Sequence, residues 1–210
     1  MTLRLAAAFA LVMGAATLLA YCDVMGRGPL ADRAARQLRA MKDRRASPAS
    51  VEAVGLAEFR ALPHHVPVAE YARIEARGVV MEGYVQRLLR ASDDDYHMEV
   101  APTPRAPGGP DTMYVTAEIT PGVRGSSADW SYAHLARSLR PNHGGETEWD
   151  GGPRRVRVTG WLLYDYQYDE TPSVWEQRLA APRISGWEIH PVTRIEVWDD
   201  SLRRYRDVAR

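Results

Sequence analysis

A single cysteine, Cys22, is all the thiol that the 210-residue chain carries. No disulfide can close within the chain, and no thiolate cluster can hold a metal. Cysteine usage therefore neither demands nor excludes an oxidising compartment. Lysine is as scarce, because Lys42 is the one lysine among 27 basic residues and the rest are arginine. Beside the many alanines, this reads as compositional bias rather than as guanidinium chemistry. Neither sign of charge is in excess, with 27 basic residues against 27 acidic ones. The global basic footprint of a nucleic-acid binder is missing. What the chain does have is length enough for one good core plus appendages.

One long uncharged run, Leu5–Cys22, follows Arg4 at the N-terminus. A short positive start and an apolar stretch are the layout of an export signal. The run is also just long enough for a tilted transmembrane helix. The sequence thus predicts an extracytoplasmic protein, periplasmic or anchored at the inner membrane. Residues 1–22 would be its signal peptide or membrane anchor, and "LLAYC" resembles a lipoprotein box that makes Cys22 a lipidation candidate. Tyr21 stands where such a box carries a small residue. Residues 23–50 hold seven Lys/Arg against three Asp/Glu. They read as a basic linker or, from Leu30, Ala34, Leu38 and Met41, as a short amphipathic helix. Its basic face could rest on anionic headgroups, so the membrane is an expected partner.

Residues 51–77 read as a helical lead-in broken by the prolines of "LPHHVP". Strand signals then dominate residues 78–199. "GVVMEGYVQRLLRA" (78–91) alternates with period two, and Gly83 marks a bend. "DYHMEVA" (95–101) and "TMYVTAEIT" (112–120) follow as strands. "SSADWSYAHLARSL" is a helix, with Ser126 and Asp129 at capping-box spacing. "RRVRVTGWLLYDYQ" (154–167) turns Val156, Val158, Gly160 and Leu162 inward. "WEIHPVTRIEVWD" closes the series, and Pro191 places an edge or a bulge there. Residues 200–210 read as a tail. The order β-β-β-α-β-β, with glycines inside the first and fourth strands, predicts a mainly β fold. It is the arrangement of an OB-like five-stranded Greek-key barrel, and it does not fit an immunoglobulin sandwich, which needs about seven strands and no helix.

The segments "EGYV", "DYHMEV", "VTGW" and "WEIHP" occur in that order. Together they resemble a family of bacterial extracytoplasmic OB-fold-like proteins, with the likeness covering most of residues 66–198. The resemblance implies the fold and brings no established activity. More distantly, the barrel resembles the scaffold of thermonuclease-type enzymes, but their arginine-plus-acid catalytic pattern is not recognisable here, so no residue is carried over.

Two clusters join acids to histidines on single strand faces. His97 and Glu99 share one face of the second strand, and Glu188 and His190 share one face of the fifth. Glu118, in the third strand, is a fifth member. Such a set could hold Zn²⁺, Mn²⁺ or non-haem iron. Alternatively, a His–Glu pair could act as base and orienter in hydrolysis. No cofactor is demanded, and a divalent metal is the one these residues could take. The plain alternative is that the five side chains are polar decoration on an outer face.

A second candidate surface is aromatic. Trp161, Tyr164, Tyr166, Tyr168 and Trp175 crowd the fourth strand and the loop after it, where OB-folds hold oligosaccharides or oligonucleotides. Asp165, Asp169, Glu170 and Glu176 interleave with these rings and would repel phosphate. Nucleic acid is thus not the expected partner, and a saccharide, peptide or protein fits better. Three functions stand from the sequence: an exported or membrane-tethered binding module without catalysis, a metal-assisted hydrolase using His97, Glu99, Glu118, Glu188 and His190, and a structural envelope scaffold.

Overall fold

The computed structural model describes residues 29–104, 113–142, 152–168 and 183–209, with side chains from residue 33 onward. The apolar run Leu5–Cys22, the lipidation candidate Cys22 and the aromatic Trp175 lie outside the described residues. The chain divides into two compact units, Met1–Ala40 and Met41–Arg210. Helix α1, Pro29–Lys42, supplies the described part of the first unit as far as Ala40, and its last residues, Met41 and Lys42, belong to the second.

The second unit is mainly β. Strand β1 (Glu52–Val54), helix α2 (Leu56–Ala61) and helix α3 (Val68–Ile74) lead into β2 (Gly78–Arg90). Strands β3 (Tyr96–Ala101) and β4 (Tyr114–Ile119) follow, then helix α4 (Pro121–Arg124), a 3₁₀ turn (Ala128–Trp130) and helix α5 (Tyr132–Leu139). Strand β5 (Arg155–Tyr164), a second 3₁₀ turn (Tyr166–Tyr168), β6 (Arg183–Asp199) and β7 (Arg204–Asp207) complete the order.

The seven strands among the described residues join one sheet, and five of them close on themselves. Strand β2 pairs antiparallel with both β3 and β5, β3 with β4, and β5 with β6, while β4 and β6 run parallel. The ring β2-β3-β4-β6-β5 therefore returns to β2. Strand β1 adds a parallel edge on β2, and β7 an antiparallel edge on β6. These two short strands fall in segments that read as lead-in and tail, because three or four residues are too few to show a period.

The alternation of β2 places Val79, Met81 and Val85 inward, each with no exposed surface. Trp187, Ile189 and Ile195 of β6 meet them with the same burial. Each such side chain contributes about 1.5–3 kcal/mol on leaving water. Trp187 also stacks on Tyr164, ring centres 4.9 Å apart, and its indole donates to the Pro63 carbonyl at 2.9 Å.

Two irregularities orient the polar face. A register shift between Val85 and Arg87 reverses the parity of β2. Arg87 then lies across from Glu99 while Leu88 turns inward. A second shift opposes Gly160 to the Pro191–Val192 segment. A Cβ on Gly160 would stand 2.4 Å from the Pro191 carbonyl oxygen, so only glycine admits so close an approach. Pro191 thus sits at a bulge in a strand paired on both sides, and its peptide bond to His190 is cis.

The segment between β4 and β5 departs from the predicted single helix. Ser126 turns back, its hydroxyl donating to the Val123 carbonyl, and Ser127 accepts from Asp129 N at 3.1 Å. No capping box forms at Ser126. Ser131 is extended, which ends the 3₁₀ turn and starts α5 afresh. Helix α5 buries Leu135, Ala136 and Leu139, the stripe its spacing predicts.

A candidate polar site on the outward face of three strands

With Met98, Ala117 and Ile189 turned inward, their neighbours on β3, β4 and β6 turn outward together. Register brings His97 opposite Glu118, Glu99 opposite Thr116, and Thr116 opposite Glu188. The five acid–histidine candidates therefore converge on one patch, and the parallel pairing of β4 with β6 is what joins the two clusters. Glu118 is its centre. Oε1 of Glu118 lies 2.9 Å from His97 Nδ1, and Oε2 lies 3.0 Å from His190 Nδ1. Glu188 Oε1 approaches the same His190 nitrogen at 3.1 Å.

Sequence reasoning missed five further members. Arg183 donates to Glu188 Oε2 at 2.7 Å, with side chains 7% and 2% exposed. Arg87 reaches Glu99 at 3.2 Å, and Lys42 reaches Asp165 at 3.2 Å. Asp95 Oδ2 stands 3.7 Å from His190 Nε2. Arg183 and Lys42 fall outside the stretches that read as strands, Asp95 directly precedes β3, Asp165 reads only as one of the acids interleaved with the aromatic run, and Arg87 depends on the bulge. No local pattern announces any of them except the charge itself.

The patch is not surface decoration. Glu99, Glu118, Glu188 and His190 are all buried, and only His97 keeps appreciable exposure, 21% of its side chain. Desolvation penalises every charge here, and opposite charges answer it. Burial alone would lower the His190 pKa, yet hydrogen bonds to Glu118 and Glu188 hold it up at about 10. Burial would raise Glu118, but the two histidines bring it well below the usual carboxylate range. Burial likewise works against His97, and its bond to Glu118 raises it on balance. Asp95 is pushed up to about 6, chiefly by burial. The five carboxylates Asp95, Glu99, Glu118, Asp165 and Glu188 then face five cations, Lys42, Arg87, Arg183, His97 and His190, so the charges balance when both histidines are protonated.

Beside this network opens a cavity of about 440 Å³, lined by Lys42, Arg90, His97, Glu99, Glu118, Asp165, Tyr168, Arg183 and Glu188 among others. Its volume is that of a small-molecule site.

The described aromatic candidates, Trp161, Tyr164, Tyr166 and Tyr168, do not form one platform. Tyr164 is core, 2% exposed, with its hydroxyl accepting from His65 N at 2.9 Å. Trp161 is on the opposite parity, donates to the Ala46 carbonyl at 2.7 Å, and lies under the Arg44 guanidinium. Tyr166 packs against the core, and among the described candidates Tyr168 alone reaches the cavity, its ring 4.9 Å from the Arg183 guanidinium carbon. Tyr164, Trp161 and Tyr166 pack within the fold because strand parity and the turn after β5 send the rings in different directions,.

No family model matches the chain, and no curated protein does. Among solved structures, it is similar to an asparaginyl-tRNA synthetase from Pyrococcus horikoshii complexed with asparaginyl-adenylate. The TM-score is 0.29 and the identity 18%, over 60% of this chain and 20% of that one. It is also similar to a protein named as an aspartyl-tRNA synthetase from Leishmania major Friedlin. There the TM-score is 0.36 and the identity 14%, over 82% of this chain and 27% of that one. The chain spans about a fifth to a quarter of the length of these structures, and likenesses of this size transfer no activity. Two expectations about partners are corrected. The expectation that sets nucleic acid aside is withdrawn, both similar structures being named as tRNA synthetases. Membrane attachment gains no support either, since no helix among the described residues is long and apolar enough to cross a membrane.

Proposed function

We propose that the chain is a binding module built on an OB-like five-stranded barrel, with its ligand seat in the cavity on the outward face of β3, β4 and β6. The strand order with its parallel β4–β6 pair, and the helical segment between β4 and β5, support the barrel,. The resemblance of its motif segments to extracytoplasmic OB-fold-like proteins supports it as well. An extracytoplasmic address belongs to this proposal and rests on the uncharged run Leu5–Cys22; cell fractionation tests it.

One observation carries the seat: the Arg183–Glu188 pair is desolvated yet lines an open cavity. Burying a pair of charges costs about as much as their attraction returns, so stability alone is a weak reason for it. Desolvated charges in a cleft mark a candidate functional site. Its ligand is a small polar molecule with groups of both signs. Arg183, Lys42 and His97 meet the anionic group, and Glu99 and Glu118 the cationic one.

The hydrolase reading has one point in its favour, the His97–Glu118 bond beside the cavity. The same bond raises the His97 pKa and so favours its protonated form. A protonated imidazole donates to an anion and does not take a proton, which favours binding over base catalysis. Thermal-shift and calorimetric titrations of the full chain against amino acids, amino sugars, short peptides and phosphate esters test the proposal. A hit that is lost in Arg183→Met and His97→Gln and kept in Trp161→Phe supports it. A hit indifferent to the first two, or tight binding of an oligonucleotide instead, overturns it.

A further inference from the structure

Behind the floor of the cavity, Asp95, Glu118 and His190 are all buried, at 5%, 8% and 0% exposure. One ligand atom from each lies within 4.8 Å of the other two. Acidic residues gathered in this way are common without an ion. What sets this group apart is the second nitrogen of His190, since Nε2 is buried and has no hydrogen-bond partner. An unpartnered buried ring nitrogen costs free energy that a fold does not ordinarily leave unanswered.

The geometry of that nitrogen is suggestive of a metal. Nε2 faces Asp95 Oδ2 at 3.7 Å, too long for a hydrogen bond,. Two donors each about 2.0–2.1 Å from one ion can stand that far apart. On the other side of the ring, Nδ1 faces Glu188 Oε1 at 3.1 Å, while Glu118 Oε2, 3.0 Å from the same nitrogen, would have to turn from it to reach the ion. A metal-binding histidine characteristically has its second nitrogen fixed by a carboxylate, which sets the tautomer and the ring plane.

We propose that Asp95, Glu118 and His190 Nε2 form a binding site for a divalent transition-metal ion, with Glu188 orienting the His190 ring through Nδ1. One nitrogen and two carboxylate donors suit Zn²⁺, Mn²⁺ or Fe²⁺. Two carboxylates also supply the two negative charges that such an ion needs when it is buried. The site goes beyond the cavity reading and does not depend on it. Glu118 connects the two, with Oε1 turned to His97 at the cavity and Oε2 to His190 behind it.

The test uses the full chain, stripped with a chelator and titrated with Zn²⁺ and with Co²⁺ as a spectroscopic stand-in. The expected result is one equivalent of metal per chain. Asp95→Asn and His190→Gln should each weaken it by more than about 100-fold, beyond what losing an outer partner costs. His64→Ala/His65→Ala should retain it. If a variant does not fold, the Co²⁺-loaded wild type decides. A paramagnetically shifted exchangeable proton from a single imidazole, that of His190, supports the site. Overturning results are no stoichiometric metal, metal kept at full affinity in both variants, or no such shifted proton. None of these readouts uses an organic ligand, so the cavity proposal stands or falls separately.

Discussion

Glu118 holds His190 at 3.0 Å through one carboxylate oxygen while its other oxygen holds His97. One acid thus fixes two rings that belong to different strands. His97 enters through the antiparallel β3–β4 ladder and His190 through the parallel β4–β6 ladder. Charge on Glu118 is therefore what makes the outward face a single network.

Removing that charge should be costly. In Glu118→Gln, shape is kept while two histidines, the buried His190 and the partly exposed His97, lose their shared charged partner. We expect a loss on the order of 3 kcal/mol in urea denaturation, the cost of breaking a buried pair from one side. Glu82→Gln is the comparison. Glu82 bonds Arg155 and Arg157 on the exposed face of β2 and β5, where such pairs contribute about 0–1 kcal/mol. Equal losses in the two variants would mean that the buried network is no stronger than a surface one.

The pH dependence of the metal-free protein has a defined sign. His190 titrates at about 10 in the fold against 6.5 unperturbed. Its contribution is complete below the unfolded value and disappears as pH rises through the folded one. Asp95, raised to about 6 from 3.8, acts in the same direction, losing its contribution as pH rises through about 6,. Glu118, lowered, acts oppositely and loses its contribution only in acid. The urea midpoint should therefore be lower at pH 9 than at pH 6, and His190→Gln should flatten the difference. A midpoint that rises with pH contradicts the assignment of charge in the network.

Much of this was legible in the strands. Parity alone puts His97 with Glu99 and Glu188 with His190, and the inward set Val156, Val158, Leu162, Trp187 and Ile189 follows the same rule. Whether the two pairs meet is not a local property. It depends on β4 running parallel to β6, a pairing set by chain closure and by no pattern within either strand. Arg87 is hidden for a different reason, since the bulge after Val85 reverses the parity that would have turned it inward. The aromatic run Trp161–Tyr168 misleads because ring content carries no direction, and Tyr164 and Trp161 point to opposite sides of β5.

The bulge opposite Pro191 makes its own prediction. A methyl group at position 160 would meet the Pro191 carbonyl at 2.4 Å and the Ile189 side chain at 2.7 Å. Backbone must move to accept it, so Gly160→Ala should cost roughly 1–3 kcal/mol as overpacking does. Gly125→Ala meets nothing closer than 3.6 Å, at a backbone conformation any residue adopts. That change should be neutral or add about 0.4–1 kcal/mol by restricting the unfolded chain. Thermal denaturation of the two variants side by side reads the difference, and a harmless Gly160→Ala would show that β5 and β6 are not so tightly apposed.

Because Lys42 is the one lysine in the chain, its amine can be followed without mutation of any other residue. Burial disfavours its charged form, but Glu188, Asp165 and Glu118 outweigh burial and raise its pKa. An acylating reagent attacks only the neutral amine, and the neutral fraction falls about tenfold for each unit by which the pKa rises. At pH 8, Lys42 of the folded protein should therefore be acylated far more slowly than in urea, as read by mass spectrometry of the peptide that contains it. Partial burial also slows the reagent, since the side chain is 29% exposed. Asp165→Asn separates the two causes, because it keeps the shape beside the amine and removes the charge 3.2 Å away. If charge holds the amine protonated, this variant acylates faster than wild type while remaining as folded by circular dichroism. If the rate is unchanged, shielding alone protects Lys42, and the cation is not part of the network that lines the cavity.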